Sequence, residues 1–339
     1  MTHTLSRREL LARISASAWL AASGCAGRPA TTGQLVHIAT AAGSTNMTLS
    51  ELMRQQGFLE SFGLAPDVIP MSDGTKILGG IFSGSIDLSP ISGFGQVFPA
   101  IERGADLKII NAATLVPWQA MFTAKDNVRS LRDLEGKVVG VGGIGALVHQ
   151  MTVTLLRKHG VDVNAVKFVN IGSVSDIFKG VMEGTVDAGT GPASFVDDAQ
   201  AFKVRAIPNG NMTTELKEFT YQAGWTSVRM ITDKRDLLVR VLAAYAKLFA
   251  FVHQASSRDA FLKARTTVFP DAPEHEHLAE WAFLQAYKPF APDLVLSPER
   301  VRYMQQINVD FEIQKEILPY ERVADMSLAH EAIALANKV

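Results

Sequence analysis

Ile77-Leu78-Gly79-Gly80-Ile81-Phe82-Ser83-Gly84-Ser85-Ile86-Asp87 returns one hundred positions later as Ile177-Phe178-Lys179-Gly180-Val181-Met182-Glu183-Gly184-Thr185-Val186-Asp187. Both copies follow one rule: Ile, apolar, x, Gly, apolar, x, x, Gly, Ser/Thr, apolar, Asp. The apolar residues at i, i+1 and i+4 make one helical stripe. Gly84 and Gly184 then stand where a helix ends in a left-handed cap. The apolar-Asp pair after each glycine begins a short strand. Two copies of helix, glycine stop and strand predict two similar lobes with a cleft between them.

Working outward, strand and helix signals alternate, which predicts an α/β architecture. The first cycle has strands at 35–38, 66–69, 86–89 and 107–113. Its helices run from the Gly43–Asn46 loop to Gln56, from a cap at Ser72 or Asp73, and from Gly93 to Arg103. The second cycle has strands at 138–141, 166–170, 186–188 and 203–207, with helices at 146–158 and 173–182. From about Asp233 the chain is mostly helical. Leu237, Leu238, Val241, Leu242, Tyr245, Leu248, Phe249 and Val252 form a wide apolar stripe. Ser297-Pro298 is a cap with a first-turn proline. These C-terminal helices are expected to brace the two lobes.

The 339 residues suffice for two cored domains, with 47% apolar and 20% charged residues and a formal net charge of −1. Lys and Arg are scattered, so no nucleic-acid partner is expected. No apolar run is long enough to span a membrane. The single cysteine, Cys25, excludes an internal disulfide and any multi-cysteine metal or redox motif.

Residues 1–30 read as an export signal. Ser6-Arg7-Arg8-Glu9-Leu10-Leu11 resembles the twin-arginine motif. Ala22-Ser23-Gly24-Cys25 resembles a lipobox, with Ala22 where leucine is usual. It implies lipidation of Cys25, the alternative being cleavage after a small residue. The protein is then expected in the periplasm, or facing it as a lipoprotein. A lipid anchor would be its only membrane contact.

Several motifs together resemble the periplasmic solute-binding proteins of ABC importers, in the branch that binds sulfonates, taurine, nitrate or thiamine-pyrimidine precursors. They are Gly74 to Asp87, Ala100 to Lys108 with Gly104-Ala105-Asp106, Leu131 to Gly142 with Asp133-Leu134-Glu135-Gly136-Lys137, and Gly172 to Ala188. The resemblance covers about 35–330. It implies a two-lobed type II binding-protein fold with mixed sheets flanked by helices, and crossings near Pro117-Trp118 and Gly224-Trp225. Lobe 1 would comprise 34–118 plus 225–339, and lobe 2 would comprise 119–224. It also implies an ABC permease as partner, a monomeric state, no cofactor and no catalysis. The resemblance extends to pyrimidine-forming enzymes of thiamine synthesis, but their cysteine-rich motif is missing here.

In open α/β sheets ligands sit beyond the carboxyl ends of the strands. That places Ser44, Thr45 and Asn46 at the cleft, with Ser92 and Gly93, then Gly143, Gly145 and Ala146, then Ser173 and Thr190. Helix-start N–H groups and hydroxyls make a cradle for a small anion such as a sulfonate. A planar heteroaromatic such as a pyrimidine is the alternative. Trp118 and Trp225, at the expected crossings, either stack on a planar ligand or pack the hinge. Asp87 and Asp187 are expected to bond turn amides rather than ligand. His149 either faces the cleft or packs.

Gly140-Val141-Gly142-Gly143-Ile144-Gly145 also fits the dinucleotide fingerprint, so a dinucleotide-dependent oxidoreductase is the rival. Asn170 stands where that fingerprint wants an acid. No metal site is expected; Glu274, His275, Glu276 and His277 read as a solvated helix start.

Overall fold

A computed structural model describes residues 33–71 and 74–339. The expected export signal with Cys25, and the expected cap at Ser72 or Asp73, lie outside the described residues. In chain order the principal elements are β1 (Gln34–Ala41), α1 (Ser44–Gln56), β2 (Leu64–Met71), α2 (Gly74–Ser83), β3 (Leu88–Ser92), α3 (Val97–Glu102), β4 (Leu107–Thr114) and β5 (Gln119–Thr123). Next come β6 (Val138–Val141), α4 (Leu147–Lys158), β7 (Lys167–Asn170), α5 (Val174–Met182), β8 (Ala188–Pro192), β9 (Arg205–Asn211) and β10 (Gln222–Ser227). The C-terminal part holds α6 (Arg235–Val252), α7 (Arg258–Val268), α8 (Glu274–Tyr287), α9 (Pro298–Asp310) and α10 (Ser327–Ala336).

Two five-stranded sheets carry the fold, ordered β2-β1-β3-β10-β4 and β7-β6-β8-β5-β9. In the first, β1 runs parallel to β2 and β3, while β10 is antiparallel to β3 and β4. In the second, β6 runs parallel to β7 and β8, while β5 is antiparallel to β8 and β9. The sheets therefore share one plan, as the repeat predicts.

The repeat also fixes equivalent contacts. Gly84 and Gly184 are left-handed, with φ of 75° and 71°. The His37 N–H donates to the Asp87 carboxylate at 2.8 Å, and the Val138 N–H donates to Asp187 at 2.9 Å. The aspartate N–H groups return bonds to the His37 and Val138 carbonyls. The Thr226 hydroxyl donates to the Asp87 carbonyl and the Thr123 hydroxyl to that of Asp187. Each aspartate thus ties the start of its strand to the neighbouring parallel strand, and the antiparallel strand is tied to its carbonyl. The pair bonds backbone amides, as expected, but those of the neighbouring strands β1 and β6 rather than those of a turn.

Gly79 and Gly80 separate two meanings of a helical glycine. A Cβ at Gly79 meets nothing within 4 Å, whereas one at Gly80 would lie 2.6 Å from Ile86 Cγ1. Gly79→Ala is expected to stabilise by about 0.5–1 kcal/mol through helix propensity. Gly80→Ala is expected to destabilise by about 1–3 kcal/mol through overpacking. Urea unfolding of both variants measures the contrast.

Two strands went unpredicted, β5 and β10. The chain leaves the first sheet between Thr114 and Gln119 and returns to it between Asn211 and Gln222. The expected return at Gly224-Trp225 instead falls inside β10. Trp225 is fully buried there, and a Cβ at Gly224 would press on Pro90 Cα at 2.9 Å. The Gln-Ala-Gly-Trp-Thr-Ser composition of β10 hides a core strand from any alternation test.

The long helix α6 buries its predicted stripe, and the Ser297 hydroxyl accepts from the Arg300 N–H to cap α9. The reading of 274–277 as a solvated helix start needs correction: α8 does start at Glu274, but His277 is buried. No described helix is long and apolar enough to cross a membrane.

Candidate functional site

A cleft of about 320 Å³ opens between the sheets, at the carboxyl ends of β1, β7 and β8. The first sheet contributes Ala42 to Asn46, the second Gly172 to Ser175, Pro192 and Ser194. Trp118 and Gln119 come from the first crossing, Tyr221 and Gln222 from the second, and Glu280 and Phe283 from α8. No lysine or arginine is among these lining residues.

Of the residues expected at the site, Ser44, Thr45, Asn46, Trp118 and Ser173 line this cleft. Asn46 is only 1% exposed, and neither Oδ1 nor Nδ2 has a hydrogen-bond partner among the described residues. Thr45 donates through Oγ1 to Glu280 Oε1. Trp118 packs edge-on against Tyr221 at 5.1 Å and Phe290 at 6.3 Å, so one ring both lines the cleft and packs the crossing. Gln119 Nε2 donates to the Tyr221 hydroxyl at 2.9 Å, tying the two crossings together. Burial pushes the Tyr221 phenol up, which keeps it a neutral hydroxyl.

Ser173 lines the cleft, but its polar atoms are already engaged. Its N–H and hydroxyl both meet Asp176 Oδ2, at 2.9 and 2.6 Å, in a capping box at the start of α5. These bonds hold the Asp176 carboxyl below its ordinary range. A negative charge therefore already occupies the helix start that was expected to receive an anion.

The remaining expected residues lie outside the lining. Trp225 is fully buried, and its Nε1 donates to Ser92 Oγ at 2.9 Å. Ser92 also accepts from the Ser89 hydroxyl at 2.7 Å, so β10 seals this pair into the core. The stacking role considered for Trp225 is thus replaced by core packing. Gly93 faces Leu147, whose Cδ2 would lie 3.4 Å from an added Cβ. Thr190 is wholly buried in β8, its hydroxyl without a partner among the described residues.

Gly143, Gly145 and Ala146 belong to the loop before α4, which reaches the cleft lining through Val148 rather than through these three residues. The Gly145 N–H donates to His149 Nδ1 at 3.0 Å, and Ile313 packs beside Gly145. His149 packs against Phe168 and Phe311 at 4.7 and 5.6 Å, so packing is its role. The first fingerprint glycine has a packing reason too: a Cβ at Gly140 would sit 3.3 Å from Ile171, Ile177 and Val186.

Burial and then the Arg157 charge hold the His149 imidazole below its ordinary range; burial and then Lys288 do the same for His253. The folded state therefore favours neutral imidazoles at these positions. Its stability is complete above the unfolded imidazole value and falls as pH drops from there toward the lowered folded values. Melting is expected at lower temperature at about pH 5 than at about pH 8. His149→Gln, which keeps an acceptor for Gly145, should flatten that slope.

Sequence reading missed Glu280, Phe283, Gln119, Tyr221 and Gln222. Glu280 had a signal: it is the only charged residue between Leu278 and Tyr287, in a stretch otherwise apolar but for Gln285. The residue is 7% exposed and also pairs with Arg265.

Two like sheets, each completed by an antiparallel strand, with a cleft between them, define a two-lobed α/β protein of the type II periplasmic binding-protein fold. More particularly, residues 45–255 match the family model described as NMT1/THI5 like, and the chain belongs to that family. No curated protein matches this sequence. Among solved structures, the periplasmic aliphatic sulphonate binding protein SsuA from Escherichia coli superposes with a TM-score of 0.69 at 18% identity, covering 86% of this chain and 97% of that one. The alkanesulfonate-binding protein SsuA from Xanthomonas axonopodis pv. citri, bound to MOPS, gives 0.66 at 19%, covering 89% and 97%. The desulfurization enzyme DSZB gives 0.62 at 13%, covering 89% and 99%. At these identities the likeness is one of fold, and the fold accommodates both binders and an enzyme.

Proposed function

We propose that this chain is an exported solute-binding protein that captures a small planar nitrogen heterocycle bearing an amine and delivers it to an ABC permease. The observation that carries the ligand class is Glu280, a buried carboxylate in the wall of a cleft whose lining holds no lysine or arginine. A carboxylate accepts hydrogen bonds from N–H groups and offers an anion no donor. Asn46 adds a donor and an acceptor side by side, which suits an edge presenting the complementary pair. Trp118, Tyr221 and Phe283 offer aromatic surface for a ring. Ligand capture would draw the two lobes together about the crossings. The role is binding rather than catalysis, and export would follow from residues 1–30, with Cys25 as the lipid anchor.

A sulfonate is the second reading. The hydroxyls of Ser44, Thr45 and Ser194 favour it, as do the relatives named as sulphonate binders. Glu280 and the Asp176 carboxylate at the start of α5 weigh against it. The dinucleotide reading loses its first fingerprint glycine, since Gly140 serves packing, and Asn170 stands where an acid is wanted. A sensing role on the same fold would be separated from transport by whether genes for a permease and an ATPase adjoin this one.

The test is a thermal-shift and calorimetric screen of the leaderless protein against aminopyrimidines, taurine, nitrate and carboxylates. The heterocycle reading expects a saturable shift with an aminopyrimidine and none with taurine. The reverse pattern would establish the sulfonate reading, and no shift with any probe would remove the cleft assignment.

A further inference from the structure

Behind the cleft wall lies an ion pair that contributes little to stability. Arg265 on α7 is 5% exposed, with Nη1 3.5 Å from Glu280 Oε2. Its guanidinium rests over the Phe269 ring at 5.4 Å. Neither Nε nor Nη1 has a hydrogen-bond partner among the described residues. A strongly stabilising arginine–carboxylate pair is short and doubly hydrogen-bonded. A long buried pair recovers its desolvation cost poorly, and apolar residues would serve packing as well.

What the pair does is set the charge of the cleft. Without Arg265, Glu280 would present a bare negative charge to the ligand. With the guanidinium behind it, the carboxylate keeps its acceptor lone pairs while the pair sums to zero. Thr45 Oγ1 holds Oε1 from the other side and fixes the orientation. We infer that Arg265 is a positioning and charge-setting residue that makes the cleft select uncharged N–H donors over both cations and anions. This rests on the cleft being the ligand site proposed above.

Three single-ring probes at neutral pH test it by calorimetry: 4-aminopyrimidine, which is uncharged, 4-aminopyridine, which is a cation, and pyrimidine-4-carboxylate. The wild-type protein should bind the uncharged amine at least about tenfold tighter than either ion. Arg265→Gln should shift the preference about tenfold toward the cation, and Glu280→Gln, which leaves the guanidinium unpaired, toward the carboxylate. Arg265→Lys keeps the charge and should keep the wild-type ranking. These last two variants carry the test if Arg265→Gln does not fold.

A wild-type protein that takes the cation as well as the neutral amine overturns the charge assignment. So do variants that weaken all three probes equally without changing their order. Both outcomes leave the cleft as the binding site. If the wild-type protein binds none of the three, the heterocycle reading falls, and the charge assignment with it.

Discussion

Asn46→Leu is expected to bind the ligand about a hundredfold more weakly while the unliganded protein becomes more stable. The two effects share one cause. In the free protein the Asn46 amide is buried with Oδ1 and Nδ2 both unpaired among the described residues. An unsatisfied buried polar group costs about 1–3 kcal/mol. Leucine has the same heavy-atom branching, no polar atoms and a better helix propensity at this first-turn position of α1. A gain of about 1–2 kcal/mol in urea unfolding is therefore expected. The ligand, in turn, would lose the donor and acceptor that meet its edge. A variant that loses stability along with affinity would mean that Asn46 holds the loop rather than the ligand.

Asp87→Ala is expected to cost about 3 kcal/mol and Asp187→Ala about half of that. The two positions are equivalent in the repeat but not in surroundings. Asp87 is 6% exposed and adds Lys234, whose Nζ lies 3.1 Å from Oδ1, to its bond from the His37 N–H. Truncation leaves that N–H without its acceptor and removes the partner of the ammonium. Asp187 is half-buried, and among the described residues its carboxylate bonds the Val138 N–H alone. Urea unfolding of both variants checks the ratio. Equal losses would show that the bond to the parallel strand carries the whole effect and that Lys234 adds nothing.

These two predictions also mark what could be read from the chain. Asp87 and Asp187 were placed correctly because their surroundings are local: a helical stripe, a left-handed glycine and a strand start within eleven residues. Ser44 to Asn46 were found the same way, since a loop after a first strand needs no knowledge of its neighbours. Ser92 and Thr190 were assigned to the cleft on the same rule, and Trp225 from its place at an expected crossing, and there both readings met a tertiary fact. The antiparallel strand β10 covers β3 and closes Ser92 and Trp225 into the core. Its partner strand lies more than one hundred residues away, and no local pattern reveals such a pairing. Glu280 escaped for a related reason. Which face of α8 is buried depends on α7 and on the second lobe, not on the periodicity of α8 itself.

The interleaving of β5 and β10 has a consequence for how the polypeptide matures. The second sheet draws all five strands from the unbroken stretch 119–211, so it has every strand it needs once Asn211 has been made. The first sheet begins earlier yet stays incomplete, because its penultimate strand, Gln222–Ser227, is synthesised after the whole of the other sheet. On the ribosome the lobe that starts second is therefore the first able to fold, and the lobe that starts first keeps an open strand edge until its missing piece emerges. The nascent chain has a window, bounded by those two strands, in which an exposed apolar edge between β3 and β4 awaits its own sequence.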